Sequence, residues 1–181
     1  KILDGSTKTG YYLRKYMNPS VSLDPDKPNK LYHHYVLFRY AEILLNYAEA
    51  MNEWKGPDAT AEGCPLSARE ALNQVRDCAD MKHVTENGTD FTAKVRNERR
   101  IELAFEGHRF YDIRRWKIAG LDEVRNLYGV KITKSGTSLS YEKVLLQQMY
   151  WNDKMYLFPY PQNEIYMNPD LGQNPGWSTG N

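Results

Sequence analysis

The densest concentration of reactive side-chain types runs from Asp90 to Trp116, DFTAKVRNERRIELAFEGHRFYDIRRW. Glu98, Glu102 and Glu106 stand one helical turn apart, and paired carboxylates of this kind are the raw material of glycosidase chemistry. Arg99, Arg100, Arg109, Arg114 and Arg115 are interleaved with them and with Asp112. Guanidinium groups so close favour the ionised carboxylate, whereas a general acid must hold its proton. Arginine's planar fork suits fixed carboxylate partners better than lysine's point charge does. The pattern therefore predicts a structural ion-pair network of Glu98, Arg99, Arg100, Glu102, Glu106, Arg109, Asp112 and Arg115. Its expected pairs are Arg99 with Glu102, Glu106 with Arg109, and Asp112 with Arg109 and Arg115. A buried lattice predicts that Arg100→Ala lowers stability more than Lys94→Ala.

Other chemistries find less support. His108 and Asp112 have i, i+4 spacing, but two ligands are too few for a metal site, and His33-His34 are adjacent and cannot share one ion. Cys64 and Cys78 have no metal spacing and no nearby histidine to activate them, and the sequence does not decide whether they pair. No Gly-x-Ser-x-Gly turn and no glycine-rich phosphate loop occurs. The expectation is a chain without catalytic residues, metal or cofactor. Nucleic acid is the rival on residues alone: Arg96, Arg99, Arg100, Arg114, Arg115 and Lys117 can meet phosphates, with Tyr111 and Trp116 stacking. Interleaved acids and a net charge of +1 argue against it.

The elements that must position these groups are mostly helical. Ile101, Ala104, Phe105 and His108 fall on one helical face, with Phe91, Val95 and Glu98 on a neighbouring line. Asp90 or Thr92 is the expected N-cap and Gly107 the expected end. A second short helix then turns Phe110, Ile113 and Trp116 inward. Upstream, Tyr35 to Glu53 reads as a helix. Tyr40, Leu44, Tyr47, Ala48 and Met51 form one of its faces, and Leu37, Ala41, Leu45 and Ala48 the adjoining one. Lys55-Gly56-Pro57-Asp58 stops it. Ser67 and Glu70 open the next helix with a capping box, and Ala68, Ala71, Leu72, Val75, Cys78 and Ala79 face inward.

The remaining segments read differently. His83 to Thr89 is a loop with an Asn87-Gly88 turn. Residues 1–30 carry no helical period. Leu121 to Tyr128 holds a helical turn, and Val130–Thr133 with Tyr141–Leu146 form a small hairpin around SGTS. From Tyr150 the prolines forbid long helices, and Leu157, Phe158, Ile165 and Leu171 anchor a tail wrapped over the helical layer. The expected fold is mostly α: tetratricopeptide-like helical pairs of the α/α superhelix type, long irregular loops, a small hairpin and a proline-rich C-terminal tail.

The run NERRIELAFEGHRFYDIRRW resembles the signature of the SusD/RagB-like family of bacterial outer-membrane nutrient-binding lipoproteins. FRYAEILLNYAEAMNE and ALNQVRDCADM resemble the two helices before it, and LFPYPQNEIYMNPDLGQNPGW the closing segment. The likeness is to the C-terminal part, so residues 1–181 are expected to be one domain of a longer lipoprotein. The resemblance implies a cell-surface protein of Bacteroidetes-type bacteria that captures an oligosaccharide or other nutrient. It implies transfer to a TonB-dependent SusC-like transporter, contact with the missing N-terminal part of its own chain, and no bond-making chemistry. It also implies an upstream signal peptide and a lipid-bearing N-terminal cysteine. KILDGSTKTG itself has no apolar leader region, and no run approaches the roughly 18 apolar residues of a membrane helix. A purely structural helical interaction module is the alternative.

Composition leaves the ligand contacts open. Apolar residues make up 41% and charged residues 26%, ordinary for a globular protein able to bury a core. Fourteen tyrosines raise the aromatics to 13%, and flat rings with a polar edge suit sugar faces as well as helix packing. The resemblance carries over no ligand residue. Trp54, Tyr150 and Trp151 are the candidates from composition, with core packing the expected fate of each.

Overall fold

A computed structural model describes residues 7–178 apart from Leu23, His33 and Pro169, so His33 of the adjacent histidine pair and one proline of the C-terminal tail lie outside the described residues. Six α-helices and one two-stranded antiparallel sheet make up its regular structure among the described residues. The chain divides into two compact units, Tyr32–Tyr111 and a second formed by Lys1–Leu31 with Asp112–Asn181.

The helical unit contains α1 (Tyr40–Lys55), α2 (Ala68–Cys78) and α3 (Gly88–Glu102), and α1 packs on both of the others. Leu44, Leu45, Ala48 and Met51 of α1 meet Ala68, Ala71, Leu72 and Val75 of α2 and Phe91 and Val95 of α3 in one core. Helix α1 starts five residues later than its pattern suggests, because Arg39 has extended backbone (φ −142°, ψ 156°). Leu37 and Tyr40 are therefore exposed instead of core-facing. The expected stop is present: Gly56 adopts φ +85°, which a side chain would resist, and its N–H donates to the Asn52 carbonyl.

At α2 the capping box forms in full. Glu70 N–H donates to Ser67 Oγ at 3.2 Å and Ser67 N–H to Glu70 Oε2 at 2.7 Å. That hydrogen bonding holds the Glu70 carboxyl below its usual range. A cap of this type is worth about 1 kcal/mol. Cys78 and Ala79 are exposed, not inward, since α2 ends at Cys78.

Helix α3 departs most from expectation. Its N-cap is Asn87, not Asp90 or Thr92, and the Asn-Gly pair begins a helix instead of making a turn. Asn87 makes no side-chain cap; its Oδ1 accepts from Arg69 Nη2 at 2.6 Å. A tertiary contact has thus captured the side chain that local chemistry would use. The helix stops at Glu102, five residues before Gly107. Leu103 then turns into the core, while Ile101 and Phe105 are exposed. Phe105 sits at φ +66°, a conformation costly for a bulky residue, and Gly107 follows at φ +84°.

In the second unit, α4 (Arg109–Arg115, which begins in the helical unit) leads to α5 (Asp122–Arg125), β1 (Asn126–Ser135) and β2 (Ser138–Gln148). The two-residue connection Gly136-Thr137 places glycine, at φ +61°, in the first central position that a type II′ turn requires. Of the three residues expected inward on the second short helix, Trp116, just past α4, is buried, Ile113 is half-buried and Phe110 is exposed. A 3₁₀ turn (Asp153–Tyr156) and α6 (Gln162–Met167) interrupt the proline-rich tail. Ile165 anchors it, but Leu157 and Phe158 are exposed. Side-chain amides hold the tail's backbone: Asn174 Nδ2 donates to the Phe158 carbonyl at 2.6 Å and Gln173 Nε2 to that of Tyr160 at 3.1 Å.

Candidate functional site

Two groupings in the helical unit hold the charges of the α3 motif. At the C-terminal end of α3, Arg39 is the hub. Its Nε donates to both Glu106 carboxylate oxygens at 3.0 and 2.8 Å, its Nη1 reaches the Glu102 carboxylate, and its Nη2 donates to the Glu102 carbonyl at 2.5 Å. The hydrogen bond to Glu106, with Glu102 adding to it, raises the affinity of this guanidinium for its proton further above an already high value. One planar group thereby closes the turn after α3. In the middle of α3, Glu98 is buried and paired with Arg76 of α2, whose Nε also donates to the Lys82 carbonyl at 2.7 Å. Arg99, equally buried, donates to Asn46 Oδ1 of α1 at 2.7 Å. Glu42 of α1 is buried and lies 3.6 Å from His108.

A third hub, Arg69, carries no mark in the sequence. It forks onto Asp58 at 2.5 and 3.0 Å and donates to the carbonyls of Val84 and Glu86 at 3.0 and 2.8 Å. Its guanidinium carbon lies 5.0 Å from the Phe91 ring centre. The bond to Arg69 holds the Asp58 carboxyl below the usual range.

The structure places the sequence-predicted residues unevenly. Glu98, Arg99 and Asp112 are buried, and Arg115 Nε meets Asp112 Oδ1 at 2.9 Å in the second unit. Glu102 and Glu106 converge on Arg39. Arg109 lies half-buried on α4. Arg100 is exposed and donates to Asn97 Oδ1 at 2.9 Å, on the same helix. The expectation that Arg100→Ala outweighs Lys94→Ala is therefore replaced: both variants should fall within about 0.5 kcal/mol of the parent in a urea melt, with no difference between them. No local period reports Arg39, Asn46, Arg69 and Arg76, because their side-chain partners stand 11 to 67 residues away.

The aromatic candidates also separate. Trp54 lies near the end of α1, 63% exposed, with the Lys55 amine 4.7 Å from its ring centre. Tyr150 is 73% exposed in the second unit. Neither is packed in a core. Trp151 is half-buried: Tyr156 meets it edge-on at 4.7 Å, the Arg114 guanidinium carbon lies 5.3 Å from its ring centre, and a Cβ on Gly120 would come within 3.0 Å of it. Cations cover neighbouring rings in the same way: Arg115 lies over Trp116, Lys117 over Tyr156 and Lys154 over Trp177. Cations that the phosphate-binding alternative would use are thus set against rings and Asp112.

A shallow cleft of about 290 Å³ on the helical unit is lined by Leu66, Glu70, Asn73, Gln74, Asp77 and His83. Glu70 there serves the cap, Asn73 Oδ1 accepts the Val84 N–H at 2.9 Å, and His83 lies 2.6 Å from Asp77. Cys64 and Cys78 are free thiols. Among the described residues, no cluster of three or more His, Cys, Asp or Glu could hold a metal ion, and no helix is long and apolar enough to cross a membrane.

Comparison with known proteins decides the family. The SusD/RagB profile, described as the SusD family, matches residues 2–177. The chain belongs to the SusD family. SusD-like protein P25 of Formosa agariphila is 28% identical over 180 residues, covering 91% of this chain and 28% of that protein. SusD-like protein P2 of the same organism is 30% identical, over 79% of this chain and 26% of the relative. The crystal structure of a SusD-like protein from Bacteroides fragilis superposes with a TM-score of 0.64 at 38% identity, over 78% of this chain and 26% of that one. The chain thus spans little more than a quarter of the length of the SusD-family proteins it matches.

Proposed function

We propose that this chain is the C-terminal portion of a cell-surface, outer-membrane nutrient-binding protein that hands an oligosaccharide or other nutrient to a TonB-dependent SusC-like transporter. In this reading the longer protein is anchored by lipid on an N-terminal cysteine and makes or breaks no bond in its ligand. The single observation that carries it is the family match across residues 2–177. The site chemistry supports it: Glu98, Glu102 and Glu106 are each engaged by a guanidinium or lie beside one, an arrangement suited to bracing. We assign Glu98, Arg99, Arg100, Glu102, Glu106, Arg109, Asp112 and Arg115 to scaffold, with α1 and α2 as one tetratricopeptide-type pair.

Trp54 and Tyr150 are the ligand candidates that their exposure favours, since an exposed aromatic ring can stack on a sugar ring. Calorimetric titration with the oligosaccharides that hit on a glycan array is the test. Trp54→Ala or Tyr150→Ala should weaken binding about tenfold or more, the loss of one anchoring ring, with an unchanged melting temperature. Unchanged affinity in both variants removes these two residues from the site.

A second reading has its own observation. Ile43, Ala50 and Trp54 share a line on α1, all exposed. Such a stripe suits a helical interaction module that holds the transporter or the remainder of its own polypeptide. Glycan binding by a longer SusD-family polypeptide but not by these 181 residues would favour that role for this portion.

A further inference from the structure

The β1–β2 hairpin has two chemically different faces. Its register pairs Tyr128 with Leu145, Val130 with Lys143, Ile132 with Tyr141, and Lys134 with Leu139, and directly paired residues share a face. The opposite face pairs Gly129 with Val144, Lys131 with Glu142, Thr133 with Ser140, and Ser135 with Ser138. On that second face Lys131 and Glu142 form an ion pair at 3.5 Å, and Ser140 Oγ donates to the Thr133 carbonyl at 3.3 Å. Toward the turn this face is polar and carries no net charge, while Val144 and Leu146, which lies over Gly129, make its base apolar. The first face carries six apolar or aromatic side chains, two lysines and no carboxylate.

Most of that apolar face is open, with Val130 half-buried. Tyr128, Ile132, Leu139, Tyr141 and Leu145 are each between 43 and 66% exposed. A two-stranded ribbon is marginal in water by itself, and a continuous apolar ladder on one side calls for a cover. The face is a ladder on a ribbon that ends in the polar turn Ser135-Gly136-Thr137-Ser138. The two lysines stand at separate rungs, Lys143 with its amine 3.9 Å from the Tyr128 ring centre and Lys134 beside the turn. Long aliphatic stems let such amines reach outward while the apolar part of the ladder is buried. Tyrosine's apolar ring and polar tip suit the boundary between acyl chains and headgroups.

We propose that this face is a membrane-contact surface, laid flat on a bilayer whose headgroups are anionic. The bilayer supplies what the ladder lacks, an apolar layer bordered by negative charge, and asks for no shape match. The chain's overall charge of +1 leaves the attraction to these local lysines. An outer-membrane location, part of the reading above, makes a lipid surface available, but neither the nutrient nor the transporter enters.

The test is flotation of the 181-residue chain with vesicles of phosphatidylcholine containing phosphatidylglycerol, at low salt, against vesicles of phosphatidylcholine alone. The chain should float with the anionic vesicles and lose binding as salt rises. Lys134→Gln combined with Lys143→Gln should lower the partition coefficient about thirtyfold, a factor of five to six per lysine. Ile132→Ser with Tyr141→Ser should weaken it as well, with the circular dichroism spectrum retained. Tryptophan emission should shift to shorter wavelength on vesicles in Tyr141→Trp beyond the parent chain's shift, and not in Thr133→Trp on the other face. No flotation at low salt, equal flotation with both vesicles, full binding by the double glutamine variant, or equal shifts at 141 and 133 overturns the proposal. So does a solution dimer that shields residue 141. Failure here leaves the nutrient reading standing, and an empty glycan array leaves this one standing.

Discussion

Phe91→Ala should lower the unfolding free energy by about 4 kcal/mol, and Phe91→Leu by about 1 kcal/mol. Phe91 is fully buried and stands where α3 meets the core formed with α1 and α2. Truncation removes a large apolar surface and leaves a void that three helices cannot close together. It also strips the Arg69 guanidinium of the ring it lies over, while that guanidinium stays tied to Asp58 and three backbone or side-chain acceptors. Against a typical domain stability of about 5–15 kcal/mol, the alanine variant is near unfolding. Urea melts of the two variants check it, and equal midpoints for alanine and leucine would refute the packing argument.

Arg76→Met should cost about 3 kcal/mol, because it leaves the Glu98 carboxylate buried and uncompensated. The methionine keeps most of the apolar stem, so the loss reports the charge and its hydrogen bonds. Glu98→Gln in the same chain should restore a large part of that loss. Replacing both partners removes the unpaired charge, whereas removing one creates it. A double-mutant cycle on thermal or urea denaturation measures this. Additive effects of the two substitutions would mean that the pair is only nominal.

How far the sequence could be read follows the range of the forces. Gly56 as the stop of α1, the Ser67–Glu70 box and the Gly136-Thr137 turn depend on neighbours within a few residues, and each is visible in the chain's own spacing. The Phe91, Val95 and Glu98 line on α3 is likewise local, and all three side chains are buried. The ends of α3 are not local. Asn87 is drawn away from capping by Arg69, and the exit turn is closed by Arg39, 63 and 67 residues before Glu102 and Glu106. Helical periodicity continued through that turn misplaces Ile101 and Phe105 outright. The composition of the charged motif points to ion pairing, but the partners of Glu98, Glu102 and Glu106 are not legible in it, since Arg39 and Arg76 lie outside it. Exposure of Trp54 and Tyr150 was equally hidden, because an aromatic residue reads the same whether a neighbour covers it or not.

The reach of Arg39 bears on the order of folding events. Its clasp on Glu102 and Glu106 shuts a long loop that contains all of α1, α2 and α3. The entropy of closing such a loop is lost before the clasp returns anything. The three helices must already have met when the guanidinium finds its acceptors, so the clasp belongs to the late, downhill side of the barrier. Its contribution then resides in how slowly the unit comes apart and scarcely in how fast it assembles.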